Sequence, residues 1–284
     1  MNSLSKWVAG ARPKTLPAAI APVVVATAYA GSQWSAIRAL QALSVSLALQ
    51  IGVNYANDYS DGIRGTDDSR IGPVRLTASG LASAKAVRLA AMISFLVAAL
   101  VGLTLAVATT WWLLLIGAAA IGAAWGYTGG KNPYGYKGLG DISVFLFFGL
   151  VATVGSYYVQ VEKLDLKIFI IAVPMGSLSC AILAINNLRD RAQDQIVGKL
   201  TLAVRLGDQG ARYLYIGLLL SAHIFALLTL KPAALVTLLA GPFTWNLVRG
   251  VGAGTSGAEL IPFLAKTGKL QLVFAVLFAV GLAI

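Results

Sequence analysis

Apolar positions in this chain fall into long unbroken runs, with little alternation between apolar and polar residues. Runs near 15–31, 36–57, 85–106, 110–128, 139–160, 167–189, 210–230, 232–249 and 268–284 each hold about the twenty residues a helix needs to cross a bilayer core. Pro17, Pro22, Pro174 and Pro242 interrupt some of them, which membrane helices tolerate because neighbouring helices re-satisfy the freed backbone groups. No ten-residue alternation of the outer-membrane barrel type occurs. The pattern predicts an all-α fold: a polytopic membrane protein with about nine transmembrane helices around a central cavity, one domain over 1–284.

Composition removes the competing classes. At 58% hydrophobic, 12% charged and a mean hydropathy of +0.78, the chain lies outside the range of soluble domains and of disordered ones. The net charge of +11 has no polar domain on which to form a nucleic-acid face, and reads instead as basic loops on the cytoplasmic side of a membrane. With the N-terminus placed in the cytoplasm, eighteen Lys and Arg fall on that side, among them Lys6, Arg12, Lys14, Arg64, Arg70, Arg75, Lys131, Arg191 and Lys199. Four fall opposite: Arg38, Lys163, Lys167 and Lys231. Acids divide nine to two, Glu162 and Asp165 being the outer pair. The bias predicts an inner (plasma) membrane protein with cytoplasmic N-terminus and polar loops. Polar chemistry gathered at one face suits an enzyme better than a transporter, whose polar groups belong near mid-bilayer. The basic and then apolar N-terminus imitates a signal peptide, but three prolines there argue against cleavage.

Two acidic clusters carry the candidate chemistry. In the first, Asn54, Asp58 and Asp61 stand at i, i+4 and i+7 of the second span, a spacing that shares a helical face. Asn57 flanks them, and Asp67 and Asp68 follow among Arg64, Arg70 and Arg75. In the second, Asn186, Asp190 and Asp194 share a face of the sixth span, with Asn187, Arg189, Arg191 and Lys199 around them. Carboxylates near a membrane core are costly. Aligned on a helix beside Lys and Arg, they suit Mg²⁺, which is commonly held by one or two carboxylates plus substrate phosphates. The Asn-x3-Asp pattern recurs after 132 residues, a faint sign of duplication.

Between the clusters, a loop rich in Gly and Tyr (Tyr127, Gly129, Gly130, Lys131, Pro133, Tyr134, Tyr136, Lys137) offers lysines for phosphate oxygens. Its tyrosines also fit an interfacial aromatic belt. His223, with no second ligand nearby, reads as a packed or hydrogen-bonded histidine, and Cys180, the single cysteine, as core. No P-loop, dinucleotide fingerprint or nucleophile elbow is present.

Asn-Asp-x2-Asp at 57–61 and Asp-x3-Asp-x3-Gly at 190–198, set in nine spans, resemble the UbiA superfamily of intramembrane aromatic prenyltransferases over essentially the whole chain. The stretches NDYSDGIRGTDDSRIGPVR, YTGGKNPYGYKGLGD and NNLRDRAQDQIVGKLTLAVRLG are similar to the branch that prenylates 1,4-dihydroxy-2-naphthoate in menaquinone synthesis. Many members carry a further Asp where Gly65 stands, which leaves Asp67 as a direct or a water-bridged ligand. The resemblance implies transfer from a long-chain polyprenyl diphosphate to the naphthoate, with loss of CO₂ and diphosphate, in a lipid bilayer. It also implies Mg²⁺ on Asp58, Asp61, Asp67, Asp190 and Asp194. Asn54, Asn57, Asn186, Asn187 and Tyr127 would line the substrate site, and Lys131, Arg75, Arg191 and Lys199 would face the diphosphate. Another acceptor (4-hydroxybenzoate, haem or a chlorin) and a transporter are the competing readings.

Overall fold

In hydrocarbon, a long apolar run satisfies its own backbone as a helix, and the described residues form helices joined by turns and loops. The computed structural model describes residues 3–67, 72, 74–230 and 232–284; the expectations for Asp68, Arg70 and Lys231 fall outside them. The helices are α1 (Ser3–Ala11), α2 (Pro17–Tyr29), α3 (Ala36–Ile63), α4 (Ala84–Ala108) and α5 (Trp112–Gly126). Next, α6 (Gly140–Val144) runs through a π-helical stretch, Phe145–Val151, into α7 (Ala152–Val161). The chain continues as α8 (Leu166–Ile196), α9 (Leu202–Leu227), α10 (Gly241–Gly252) and α11 (Ile261–Ala283). No strand occurs among the described residues. Side-chain caps begin the long helices where the sequence turns polar: Ser35, Ser83, Asp165 and Thr201 each accept a bond from a first-turn amide, satisfying a donor that has no partner within the helix.

Among the described residues, six helical stretches are long and apolar enough to cross a membrane: Ala36–Ile63, Ala84–Ala108, Gly140–Val161, Leu166–Ile196, Leu202–Leu227 and Gly257–Ala283. Pro17–Tyr29 and Trp112–Gly126 are apolar but shorter. The run at 232–249 is not one helix. It is a 3₁₀ segment, Pro232–Ala240, followed by α10, with Pro242 in the first turn of α10, where its missing N–H is harmless and a new helix starts. The nine apolar runs therefore correspond to six full-length helices, two short ones and one broken element. This is a multi-pass membrane protein.

Helix α8 is the central element, with 78% of its apolar window buried against other helices, against 22% for α3 and 28% for α4. Polar pairs stitch its surroundings: Ser221 Oγ to Ser177 Oγ (2.9 Å), Gln271 Nε2 to Ser179 Oγ (2.9 Å) and Tyr215 Oη to Thr267 Oγ1 (2.7 Å). His223 Nε2 lies 2.9 Å from Thr244 Oγ1 and edge-on to Phe274, the packed histidine the sequence predicts. At Gly149 the π-helical stretch meets α8 backbone to backbone, since a Cβ there would lie 2.5 Å from Gly176 Cα.

Length then fixes where the chemistry sits. Ser35, at the start of α3, bonds to Gln160 at the end of α7 (2.7 Å), and α8 starts five residues after α7. Helices α3 and α8 thus leave the same face and run the same way. With 28 and 31 residues they span about 42 and 46 Å, beyond a core of about 30 Å. Their last turns, which carry both acidic clusters, emerge together at the opposite face.

Candidate active site

A cavity of about 1200 Å³ joins the two helix ends. Its inner wall is apolar, built from Val45, Leu105, Leu113, Phe147, Val154 and Ile182 among others, and its mouth is polar. Asn54, Asn57 and Asp61 reach it from α3, and Asn186, Asn187, Asp190 and Asp194 from α8. Arg75, Tyr127, Thr128 and Lys199 come from the connecting segments. The two clusters meet through Lys199: its amide bonds to Asp194 O (2.8 Å) at the end of α8, and its Nζ lies 3.4 Å from Asp61 Oδ2 on α3. The segment joining the second and third spans, α3 and α4 (the 2–3 connection), reaches the same place, a Cβ on Gly72 falling 3.3 Å from the Arg189 guanidinium.

The carboxylates are compensated individually. Asp61 Oδ1 accepts from Tyr136 Oη (2.8 Å), whose ring lies between Arg64 and Lys199. Burial, and then the charge of Asp61, hold the Tyr136 phenol above its usual range, so it remains a donor. Asp190 is gripped at both oxygens by Arg189 (2.7 Å each), which also bonds to Asn186 Oδ1 (2.8 Å). Arg75 Nε lies 3.2 Å from Asp67. Asn57 Oδ1 accepts from Thr128 Oγ1 (2.8 Å), and Arg64 fixes the same loop by donating to the carbonyls of Thr128 and Gly130. Tyr127 is enclosed by glycines that leave no room for a side chain: a Cβ on Gly135 would lie 2.6 Å from Tyr127 O, and one on Gly140 3.0 Å from its hydroxyl.

Four expected site residues are placed elsewhere. Asp58 is turned off the cavity wall and fully buried. Its two oxygens accept the amides of Leu76 (2.8 Å) and Thr77 (2.9 Å), which makes it a clamp on the 2–3 connection. Asn54, Asn57 and Asp61, at i, i+3 and i+7, line the cavity; Asp58 lies at the edge of the same face, and its amide partners draw it to the loop side. Asp67 is occupied by Arg75 and does not line the cavity. Lys131 is exposed on the loop surface, away from the cavity wall. Arg191 pairs with Asp208 on α9 (3.7 Å) and does not line the cavity.

The structure adds residues that the sequence reading had used only for charge counting, or not at all. Thr128, Arg12 and Lys14 line the cavity. Arg12 has left-handed backbone (φ 54) at the entry to the Pro13–Thr15 turn, and its guanidinium donates to Asn54 O (3.2 Å). The Asn54 amide returns bonds to Ala11 O (2.9 Å) and Thr15 Oγ1 (3.1 Å). A backbone turn in the αL region followed by Pro-x-Thr has no periodic signature, so hydropathy could not announce it.

Among the described residues, no three His, Cys, Asp or Glu side chains converge to hold a metal by themselves. Three acids lining one cavity, flanked by amide oxygens and cations, can instead present an all-oxygen surface to a polyanion and its counter-ions.

Comparison with known proteins follows the same line. The UbiA prenyltransferase family matches residues 19–259. The chain is 50% identical to the 1,4-dihydroxy-2-naphthoate octaprenyltransferase of Mycobacterium tuberculosis, over 100% of this chain and 98% of that one. It is 38% identical to the protein of the same name from Escherichia coli, over 97% and 94%. A solved UbiA homolog from Archaeoglobus fulgidus, bound to GPP and Mg²⁺, superposes with a TM-score of 0.72 at 14% identity, over 98% of this chain and 100% of that one, a likeness of fold. By sequence over its whole length and by helical architecture, the chain belongs to the UbiA prenyltransferase family.

Proposed function

We infer that this protein transfers a polyprenyl group from polyprenyl diphosphate to 1,4-dihydroxy-2-naphthoate, releasing CO₂ and diphosphate and giving demethylmenaquinol, the step its relatives at 50% and 38% identity are named for. The observation that carries the reading is the cavity: a polar mouth of acids, amides and cations between α3 and α8, continuous with a long apolar interior. The mouth takes the diphosphate and the interior takes the polyprenyl tail. The whole chain, 1–284, serves as one prenyltransferase domain in the inner (plasma) membrane, with the N-terminus and the site facing the cytoplasm, as the basic loops indicate.

The residues at the mouth fit Mg²⁺. Asp61 from α3 and Asp190 and Asp194 from α8 are oxygen donors around the mouth, too few for a closed cage and suited to a cation that keeps phosphate and water ligands. When bound, Mg²⁺ neutralises the charge that grows on the departing diphosphate. The protein's own groups do the rest. Arg75 and Lys199 add positive charge at the leaving oxygens. Asn57, Asn186 and Asn187 orient the carboxylates and waters, with Thr128 fixing Asn57. Tyr127 and the apolar wall exclude bulk water from the allylic carbon.

The bond between that carbon and the diphosphate oxygen breaks, and the carbon bonds to the ring carbon that carries the carboxylate. Departure of CO₂ then returns its electron pair to the ring. With an ionised acceptor carboxylate the balance closes without a proton, so the net reaction requires no general base.

Membranes containing the protein, given dihydroxynaphthoate, a polyprenyl diphosphate and Mg²⁺, should yield prenylated naphthoquinol. EDTA should abolish the yield and added Mg²⁺ restore it. Prenylation of 4-hydroxybenzoate alone would overturn the acceptor assignment.

A further inference from the structure

The cations along the cavity are not equivalent. Lys199 is 3.4 Å from Asp61 and Arg75 3.2 Å from Asp67, so both lie at the level of the acids. Arg12 and Lys14 also line the cavity, yet neither has a carboxylate partner among the described residues. Arg12 sits deeper: it bonds to the carbonyl of Asn54, two helical turns before Asp61, a separation of about 10 Å along α3, and the exposed Lys14 follows it in the same turn.

The Arg12 side chain uses one guanidinium N–H for Asn54 O. Its remaining donors have no partner among the described residues, an arrangement that leaves a planar fork available to an anion. The turn that presents it is heavily constrained. Thr15 returns both its amide (2.9 Å) and its hydroxyl (3.0 Å) to Arg12 O, and Gln50 Nε2 holds the Thr15 hydroxyl (2.9 Å). Helix α11 presses on the turn at Gly268, where a Cβ would meet Lys14 O at 2.6 Å. Left-handed backbone at a non-glycine residue persists only where the surroundings impose it, and such positions cluster at functional sites.

We propose that Arg12, supported by Lys14, binds the carboxylate of the aromatic acceptor and sets the selectivity for an aromatic acid. The inference rests on the prenyltransferase reading above. A carboxylate is flat and bidentate and matches the guanidinium fork. The diphosphate belongs at the other level, with Asp61, Asp190, Asp194, Arg75 and Lys199. The two levels hold the partners end to end, with the acceptor's carboxylate-bearing carbon turned toward the allylic group.

The test uses the full chain in detergent or nanodiscs with Mg²⁺, and the variants Arg12→Gln, Arg12→Gly and Lys14→Gln. Arg12→Gly keeps a residue that accepts the left-handed backbone, so loss of fold does not confuse the result. Arg12→Gln and Arg12→Gly should raise the KM for the naphthoate at least tenfold, and the KM for polyprenyl diphosphate should stay within twofold. Lys14→Gln should act in the same direction but less.

Equilibrium binding of 1-hydroxy-2-naphthoate and of 1-naphthol, which lacks the carboxylate, separates this proposal from the choice of reaction. The unaltered protein should prefer the acid at least tenfold, and the Arg12 variants should lose that preference. A preference that survives in both variants overturns the carboxylate site even if transfer proceeds. A lost preference with no naphthoate transfer upholds the site and overturns the reaction. A rise confined to the KM of the prenyl diphosphate reassigns Arg12 to the leaving group and overturns the proposal.

Discussion

Asp58 and Asp61 lie three residues apart, about 60° from each other around α3, and serve different ends: Asp58 accepts the amides of Leu76 and Thr77, while Asp61 lines the cavity. Hydrogen bonds to a carboxylate are among the stronger ones, and unsatisfied buried amides are expensive. Asp58→Ala should therefore destabilise the protein by about 2–4 kcal/mol, seen as a lower Tm and faster proteolysis of the 2–3 connection. Asp61→Asn and Asp190→Asn should cut kcat at least about a hundredfold, the scale of losing an electrostatic stabiliser of the transition state. Each should also lower Tm, because it leaves a buried or largely buried cation without its carboxylate. Near-normal turnover in Asp190→Asn would remove the α8 cluster from the chemistry. Tyr136→Phe deletes one neutral donor to Asp61 and should cost less, about tenfold in kcat or under. The spacing of polar residues singles out Asp61, Asp190 and Asp194, which line the cavity. It could not sort Asp58 from Asn57, since adjacent positions at a helix end differ only by rotation, and the partner amides of Leu76 and Thr77 come from a non-periodic segment.

Among the elements, run length was the legible quantity and close contact was not. The apolar windows at 36–57 and 167–189 locate α3 and α8, although both helices continue for six or seven residues into polar sequence, where hydropathy has no further signal. The window at 232–249 reads as a span and folds as a 3₁₀ segment plus a short helix, since composition does not register where Pro242 restarts the backbone. Nor does it register the contact between Gly149 and Gly176, which needs two glycines from different helices. Gly149→Ala places a methyl against backbone that cannot yield. It should cost about 1–3 kcal/mol in thermal unfolding, whereas Gly155→Ala, at a position with open space, should be silent.

For the molecule as a whole, the sorting of charge gives orientation. Single cysteines introduced at Lys131 and at Glu162, both exposed or nearly so, should react with a membrane-impermeant thiol reagent from opposite sides of intact vesicles. Labelling of both from one side would overturn the topology. The buried Cys180 should stay silent and need not be removed.

The internal ion pairs have a consequence for assembly. Asp61, Asp67 and Asp190 each have a cationic partner supplied by the same chain, so the newly made polypeptide never has to insert a naked acidic patch or wait for a cofactor before its helices associate. Maturation is thereby uncoupled from metal supply, unlike domains whose fold depends on their ion. A chelator should silence the protein while its melting curve scarcely moves, and cells starved of magnesium should accumulate it intact and ready to be switched on.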